Sequence, residues 1–232
     1  MILGAPSDTE ADAFRREGFC VMEGVLDPAE VEALIAALPV DAAGRRNLLS
    51  DVDSVRLMAA RGIASGLVAR LAGHPLVPVR ALFFDKPPGA NWGVGWHQDV
   101  AVALSTRCET PGFGPWSVKA GVLHAHAPAA LLEEMLTLRF HLDDCPANNG
   151  ALRVIPGSHL AGRLAPEAVE AASGQPGHVC AVRRGGVVAM RPLLLHASSS
   201  AAHPEHRRVV HIEYGPRELP GGLRWHGWDP PG

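Results

Sequence analysis

Apolar and polar positions follow two different periods along this chain, and the change comes near residue 77. In the first third the spacing is helical. Ser7-Asp8-Thr9-Glu10 has the layout of a capping box ahead of ADAFRREG, with Gly18 fitting the C-terminal stop. Asp27-Pro28-Ala29-Glu30 repeats the signal, with proline at the first helical position, and leads into VEALIAAL. A third helical pattern runs from Val55 to Leu71 and is closed by Gly73 and Pro75. From Val77 onward the texture becomes short β-like runs between turn signals: VRALFFD, WSVKAGVLHAH, MLTLRFHLD, ALRVIP, VCAVRRGGVVAM and RRVVHIEY. Long connections are expected around Thr106 to Trp116 and Leu160 to His178. The pattern predicts a mainly β, α+β chain whose core is a double-sheet barrel or jelly roll buttressed by N-terminal helices. The 232 residues fit a single domain: a mostly helical part over 1–76, the jelly-roll core over 77–216 and a C-terminal tail over 217–232.

Candidate chemistry is concentrated in FFDKPPGANWGVGWHQD, where His97 and Asp99 stand two apart at the end of a strand-like run. On one strand both side chains leave the same face. An imidazole and a carboxylate there supply two of the three protein ligands of a mononuclear iron site, whose remaining positions stay open for chemistry. The spacing alone is weak, because 12 His and 11 Asp in 232 residues give on the order of 0.6 such pairs by chance. His141-Leu142-Asp143 is a second one. Company decides between them. His196 follows Leu193-Leu194-Leu195, as if leaving a buried strand, and Arg207 lies eleven residues later at the head of RRVVHIEY. Alternation puts Arg207, Val209, His211 and Glu213 on one face of that run, and Arg208, Val210, Ile212 and Tyr214 on the other. An inward arginine calls for an anion, and a guanidinium grips a carboxylate through paired hydrogen bonds. His97, Asp99, His196 and Arg207 therefore read as three metal ligands and an anion anchor.

Composition narrows the setting. A net charge of -3 offers no reason to expect a nucleic-acid partner or an anionic membrane surface. No apolar run approaches a membrane span, and MILGAPSDTEADAF has neither the basic nor the apolar segment of a signal peptide. Cys20, Cys108, Cys145 and Cys180 lack C-x-x-C spacing and read as reduced thiols of a cytoplasmic protein, a monomer or small homo-oligomer.

The order and spacing of these segments resemble the phytanoyl-CoA dioxygenase family of Fe(II)/2-oxoglutarate oxygenases. The resemblance rests on EADAFRREGFCVMEGVLDPAEVEAL, DKPPG…WHQD, NNGALRVIPGSH and HASS…RRVVHIEY. It implies a single oxygenase domain with a double-stranded β-helix, a cupin-like jelly roll. It also implies that His97, Asp99 and His196 bind Fe(II), with 2-oxoglutarate and O2 as cosubstrates. Arg207 would hold the far carboxylate of 2-oxoglutarate, and Ser198, two past the distal histidine, would assist. The implied reaction is hydroxylation of a small-molecule metabolite or natural-product intermediate, with release of succinate and CO2. Relatives that halogenate have lost the carboxylate that Asp99 retains here.

Some positions depart from the family. Leu82 and Phe84 stand where characterised relatives offer polar side chains to the cosubstrate, and Arg139 stands where one carries Trp. These changes point to a rebuilt pocket wall. Arg139 and Lys86 are assigned as further cosubstrate contacts, and Trp92, His141, Phe84 and Leu82 as substrate contacts. His124 and His126 share a strand face without a defined role, Trp96 either packs the metal loop or stacks on substrate, and the tail with Trp225 and Trp228 reads as a packed or flexible lid. The same ligands also suit a non-catalytic metal-binding jelly roll or a zinc-dependent hydrolase.

Overall fold

The computed structural model describes residues 8–38, 44–87, 89 and 91–228. Ser7 of the first capping box, Pro88 of the DKPPG turn and the end of the tail beyond Trp228 lie outside them. In chain order the elements are α1 (Asp8–Glu17), β1 (Phe19–Met22), α2 (Pro28–Ala37), β2 (Gly44–Arg45), α3 (Leu48–Asp51), α4 (Asp53–Ala60), α5 (Gly62–Ala72), β3 (Val77–Lys86), β4 (Val94–His97) and β5 (Ala101–Leu104). They continue with β6 (Trp116–Lys119), β7 (Val122–His126), α6 (Ala129–Glu134), β8 (Leu136–His141), β9 (Leu152–Val154), α7 (Pro166–Ser173), β10 (His178–Cys180), β11 (Val187–Met190), β12 (His196–Ser198) and β13 (Arg207–Gly215).

The strands form the jelly roll. A six-stranded antiparallel sheet in the order β1-β11-β8-β13-β3-β2 faces a four-stranded sheet in the order β10-β9-β12-β4 across a cavity. A three-stranded sheet, β5-β7-β6, continues from the chain just past Asp99. Alternation gives the six-stranded sheet two unlike faces. Phe83, Leu138, Phe140, Val187, Val210 and Ile212 form the outer face, buried under Phe14, Val31, Leu34, Val55, Leu67 and Leu71 of the helices. The inner face carries the polar residues. The second capping box closes as expected: the Asp27 carboxylate accepts from Glu30 N–H and the Glu30 carboxylate from Asp27 N–H, each at 2.8 Å.

Several boundaries differ from the sequence-based expectation. The mostly helical first part also supplies β1 and β2, which close the two edges of the large sheet. Val55 to Leu71 is two helices, because Arg61 is extended (φ -143°) and α5 starts afresh at Gly62 with φ +67°. WSVKAGVLHAH is a hairpin rather than one strand. Ala120 and Gly121 both have positive φ, 49° and 77°, as the central residues of a tight primed turn require. VCAVRRGGVVAM divides between the two facing sheets. The connection from Leu160 to His178 contains α7. The tail is packed: Trp225 is buried, pairs with Leu104 and donates from Nε1 to the Pro216 carbonyl at 2.8 Å. All four cysteines are free, and among the described residues no helix is long and apolar enough to cross a membrane.

Candidate metal centre

β4 and β12 are neighbours, and their ladder sets His97 directly opposite His196, with ring centroids 4.1 Å apart. The chain leaves the ladder after His97, so the expected strand through both His97 and Asp99 stops short. Asp99 is instead fixed by its own N–H, which donates to the Pro192 carbonyl at 2.9 Å, and its carboxylate faces the two imidazoles. Nδ1 of His97 meets the Gly95 carbonyl at 2.8 Å, and Nδ1 of His196 meets the Leu194 carbonyl at 2.9 Å. A carbonyl can only accept, so Nδ1 carries the proton and Nε2 keeps its lone pair. Both Nε2 atoms face Asp99, at 3.8 Å for His97 and 3.5 Å for His196.

These contacts are long for hydrogen bonds, yet one ligand atom from each residue falls within 4.8 Å of the others. A metal bound through bonds of about 2.0–2.2 Å would draw the three atoms closer together. Burial works to raise the Asp99 carboxyl, but His196, His211, His97 and Arg80 outweigh it and hold the group at about 2. Burial brings His196 down to about 4. At neutral pH Asp99 is thus a carboxylate and His196 a neutral imidazole, the forms that ligate. The donor set fits a divalent metal with open positions.

The cavity beside this trio runs along the inner face of the large sheet. Cross-strand register orders its wall in rows: Lys86 opposite Arg207, Phe84 opposite Val209, Leu82 opposite His211 (itself opposite Arg139), and Arg80 opposite Glu213. The six residue steps of strand from Lys86 to Arg80 span about 20 Å. At the Lys86 end Arg207 is buried and donates to the Gly150 carbonyl. Gly150 has φ +65°, and a Cβ there would meet the Ser199 carbonyl at 2.7 Å, so glycine permits this close approach. Lys86 donates to the Trp92 carbonyl at 2.5 Å and lies 4.7 Å from that ring. Arg139 Nη1 donates to His211 Nδ1 at 2.9 Å.

Among the described residues no carboxylate pairs with Lys86, Arg139 or Arg207. Burial, then Arg207 and Arg139, push the Lys86 ammonium down to about 8, and burial and Arg207 push Arg139 to about 10. Taking an ion out of water costs several kcal/mol, which makes this end of the cavity a seat for an anion.

Because His211 accepts at Nδ1, its Nε2–H is left to donate to Glu213, 3.3 Å away. Glu213 also pairs with Arg80 at 3.1 Å, and Arg80 donates to the Ala101 carbonyl at 3.1 Å. A polar chain thus ties Arg139 to the segment just after Asp99.

Leu82, Phe84, Lys86, Trp92, His97, Asp99, Arg139, His196, Ser198 and Arg207 all line the cavity. His141 does not. It is 2% exposed on the same strand face as Arg139, with both ring nitrogens unpartnered, and burial followed by Arg139 and Arg207 drives it down to about 3. Its partner in the second H-x-D spacing, Asp143, lies past the end of β8 and binds Arg208 through two contacts of 2.6 and 2.9 Å. Trp96 is outside the cavity wall, 5.2 Å from the Arg153 guanidinium. His124 Nδ1 meets the Val122 carbonyl at 2.9 Å, and His126 accepts from Arg163. Sequence reasoning assigned no role to Arg80, His211 and Glu213, although i, i+2 spacing from Lys86 and Arg207 could have found them. Arg46 and Lys119, which also line the cavity, carry no such signal.

The phytanoyl-CoA dioxygenase family profile matches residues 40–209. The chain belongs to this family. No curated protein sequence matches it significantly. This phytanoyl-CoA dioxygenase family member is similar in structure to the non-heme alpha ketoglutarate dependent carbocyclase SnoK from nogalamycin biosynthesis. The TM-score is 0.70 at 19% identity, over 96% of this chain and 87% of that one. AviO1 from Streptomyces viridochromogenes Tue57 gives 0.66 at 23% identity, over 93% and 97%. EctD from S. alaskensis, solved with 2-oxoglutarate and 5-hydroxyectoine, gives 0.67 at 19% identity, over 92% and 77%.

Proposed function

We propose that this family member is an Fe(II)- and 2-oxoglutarate-dependent oxygenase acting on a small molecule. One observation carries the reading: a two-histidine, one-carboxylate trio opens onto the same cavity as three cations that have no acidic partner among the described residues. His97, Asp99 and His196 hold the iron, and the ligand-ready Nε2 atoms follow from the Nδ1 contacts. Arg207, with Lys86, Arg139 and Ser198 lining the same cavity, would take the distal carboxylate of 2-oxoglutarate. A ferrous ion carrying that cosubstrate supplies oxygen activation, with release of succinate and CO2.

The protein's own work is positional. Backbone carbonyls at Gly95 and Leu194 keep both histidines in the ligating tautomer. The chain from Arg139 through His211 and Glu213 to Arg80 fixes the segment after Asp99 relative to the anion seat. Leu82 and Phe84 give the cavity an apolar wall that limits water. Retention of Asp99 favours hydroxylation, or related desaturation or ring chemistry, over halogenation. The structural neighbours include a carbocyclase and an epimerase, so the fold does not by itself dictate the outcome.

The test is an anaerobic titration of apoprotein with Fe(II), then 2-oxoglutarate, followed by visible absorbance. A weak charge-transfer band that needs both components is the expected result. Iron binding without that band on cosubstrate addition would overturn the proposal.

A further inference from the structure

Six cationic side chains line the cavity: Arg46, Arg80, Lys86, Lys119, Arg139 and Arg207. Among the described residues one acid, Asp99, lines it with them, and one more, Glu213, stands behind Arg80 at 3.1 Å. Six positive charges against two negative leave a surplus of four. Loading the proposed centre does not remove it, because the two charges of a ferrous ion and the two of 2-oxoglutarate cancel.

The surplus has a location. Arg207, Arg139 and Lys86 stand around the cosubstrate end, and Arg80 is neutralised by Glu213 at the other. Arg46 and Lys119 remain. They come from separate elements, Arg46 from the turn after edge strand β2 and Lys119 from the tip of the β6–β7 hairpin, yet both reach this cavity. Neither pairs with an acid among the described residues, and both are exposed, which puts them at the mouth. A surface cation turned to solvent needs no explanation. Two from unconnected elements, converging on a cavity already in positive surplus, repel each other unless an anion comes between them. The field reaches nearby His124, held below its ordinary value by burial, helped by Arg80, Lys119 and Arg46.

We infer that the substrate is an anion, a small molecule whose carboxylate or phosphate group is held between Arg46 and Lys119 while an apolar portion lies toward Leu82 and Trp92. The inference rests on the oxygenase reading and adds to it the chemical class of the substrate. The apolar body follows from the wall that Leu82, Phe84, Trp92 and Val94 provide.

Three probes of one chain length, hexanoate, hexyl phosphate and hexanamide, test this by anaerobic calorimetry on protein loaded with Fe(II) and saturating 2-oxoglutarate. At least one anion is expected to bind with a Kd of about 1 mM or tighter and about tenfold better than the neutral amide. The double variant Arg46→Ala, Lys119→Ala is expected to lose that preference while keeping the charge-transfer band. The ranking of hexanoate against hexyl phosphate identifies the headgroup. Equal binding of hexanamide, no binding of either anion, or a preference that survives in the double variant overturns the inference. So does bleaching of the band by the anion, which would mean that it had displaced 2-oxoglutarate at Arg207. Failure of the oxygenase reading is visible separately, as absence of the band before any probe is added.

Discussion

The two faces of the six-stranded sheet are made by the same strands and do opposite jobs. On β8 and β13, Leu138, Phe140, Val210 and Ile212 point outward into a helix-covered apolar layer, while Arg139, His141, Arg207, His211 and Glu213 point inward. The outer face gains from removing hydrocarbon from water, at about 25 cal/mol per Å². The inner face bears buried charge that burial alone would oppose. One residue of register therefore separates stability from chemistry, and a slip by one would exchange the two sets. The strained face is tolerable because the other face anchors the same backbone.

Substitutions can break this division at different depths. Asp99→Ala is expected to abolish oxidation and weaken iron binding while leaving the fold intact; near-normal iron-dependent succinate release would remove Asp99 from the ligand set. On the outer face, Phe140→Ala is expected to cost about 3–5 kcal/mol in denaturant unfolding, the usual scale for a fully buried phenylalanine. Arg207→Ala is expected to weaken 2-oxoglutarate binding about 10- to 100-fold, the scale of a charge-assisted hydrogen bond, with iron affinity retained. Its neighbour Arg208 faces outward to Asp143, so Arg208→Ala is expected to cost about 1 kcal/mol of stability and leave cosubstrate affinity alone. Should Arg208→Ala instead impair 2-oxoglutarate binding, the assignment of faces is wrong.

The last effect, which acts only at acid pH, concerns His141. Its folded pKa of about 3 lies below the unfolded value near 6.5, so the unfolded chain binds the extra proton. Above pH 6.5 the group is neutral in both states and adds no pH dependence; as pH drops from 6.5 toward 3 stability falls, by at most about 1.4 kcal/mol per pH unit. His141→Leu is expected to flatten unfolding free energy against pH across that window; an unchanged slope would show that other histidines set it.

Much of this was legible from local pattern. Alternation in RRVVHIEY sorted Arg207 and His211 from Arg208 and Ile212 correctly, because a strand buried on one face and charged on the other has a period of two that sequence displays directly. The capping box at Asp27 was readable for the same reason, since both of its hydrogen bonds are made within four residues. What escaped depends on distant chain. Asp99 owes its direction to the Pro192 carbonyl. His141 shares a strand face with Arg139, yet the cavity ends before reaching it, and no local rule fixes where a cavity ends. Arg46 and Lys119 meet the site only through a two-residue edge strand and a hairpin tip. The break at Gly62 was missed because the apolar spacing continues across it; only the backbone conformation reveals two helices.

Among the described residues β4 is the last strand of its sheet, with β12 as its single hydrogen-bonded neighbour, and the register between them shifts after His196. Few backbone bonds therefore fasten this side of the barrel. An ion shared by His97, Asp99 and His196 would act as a rivet, joining the loose strand and the loop after it to the interior. The metal would then belong to the architecture as much as to the chemistry, and protein deprived of it would loosen first along the margin that carries Trp92.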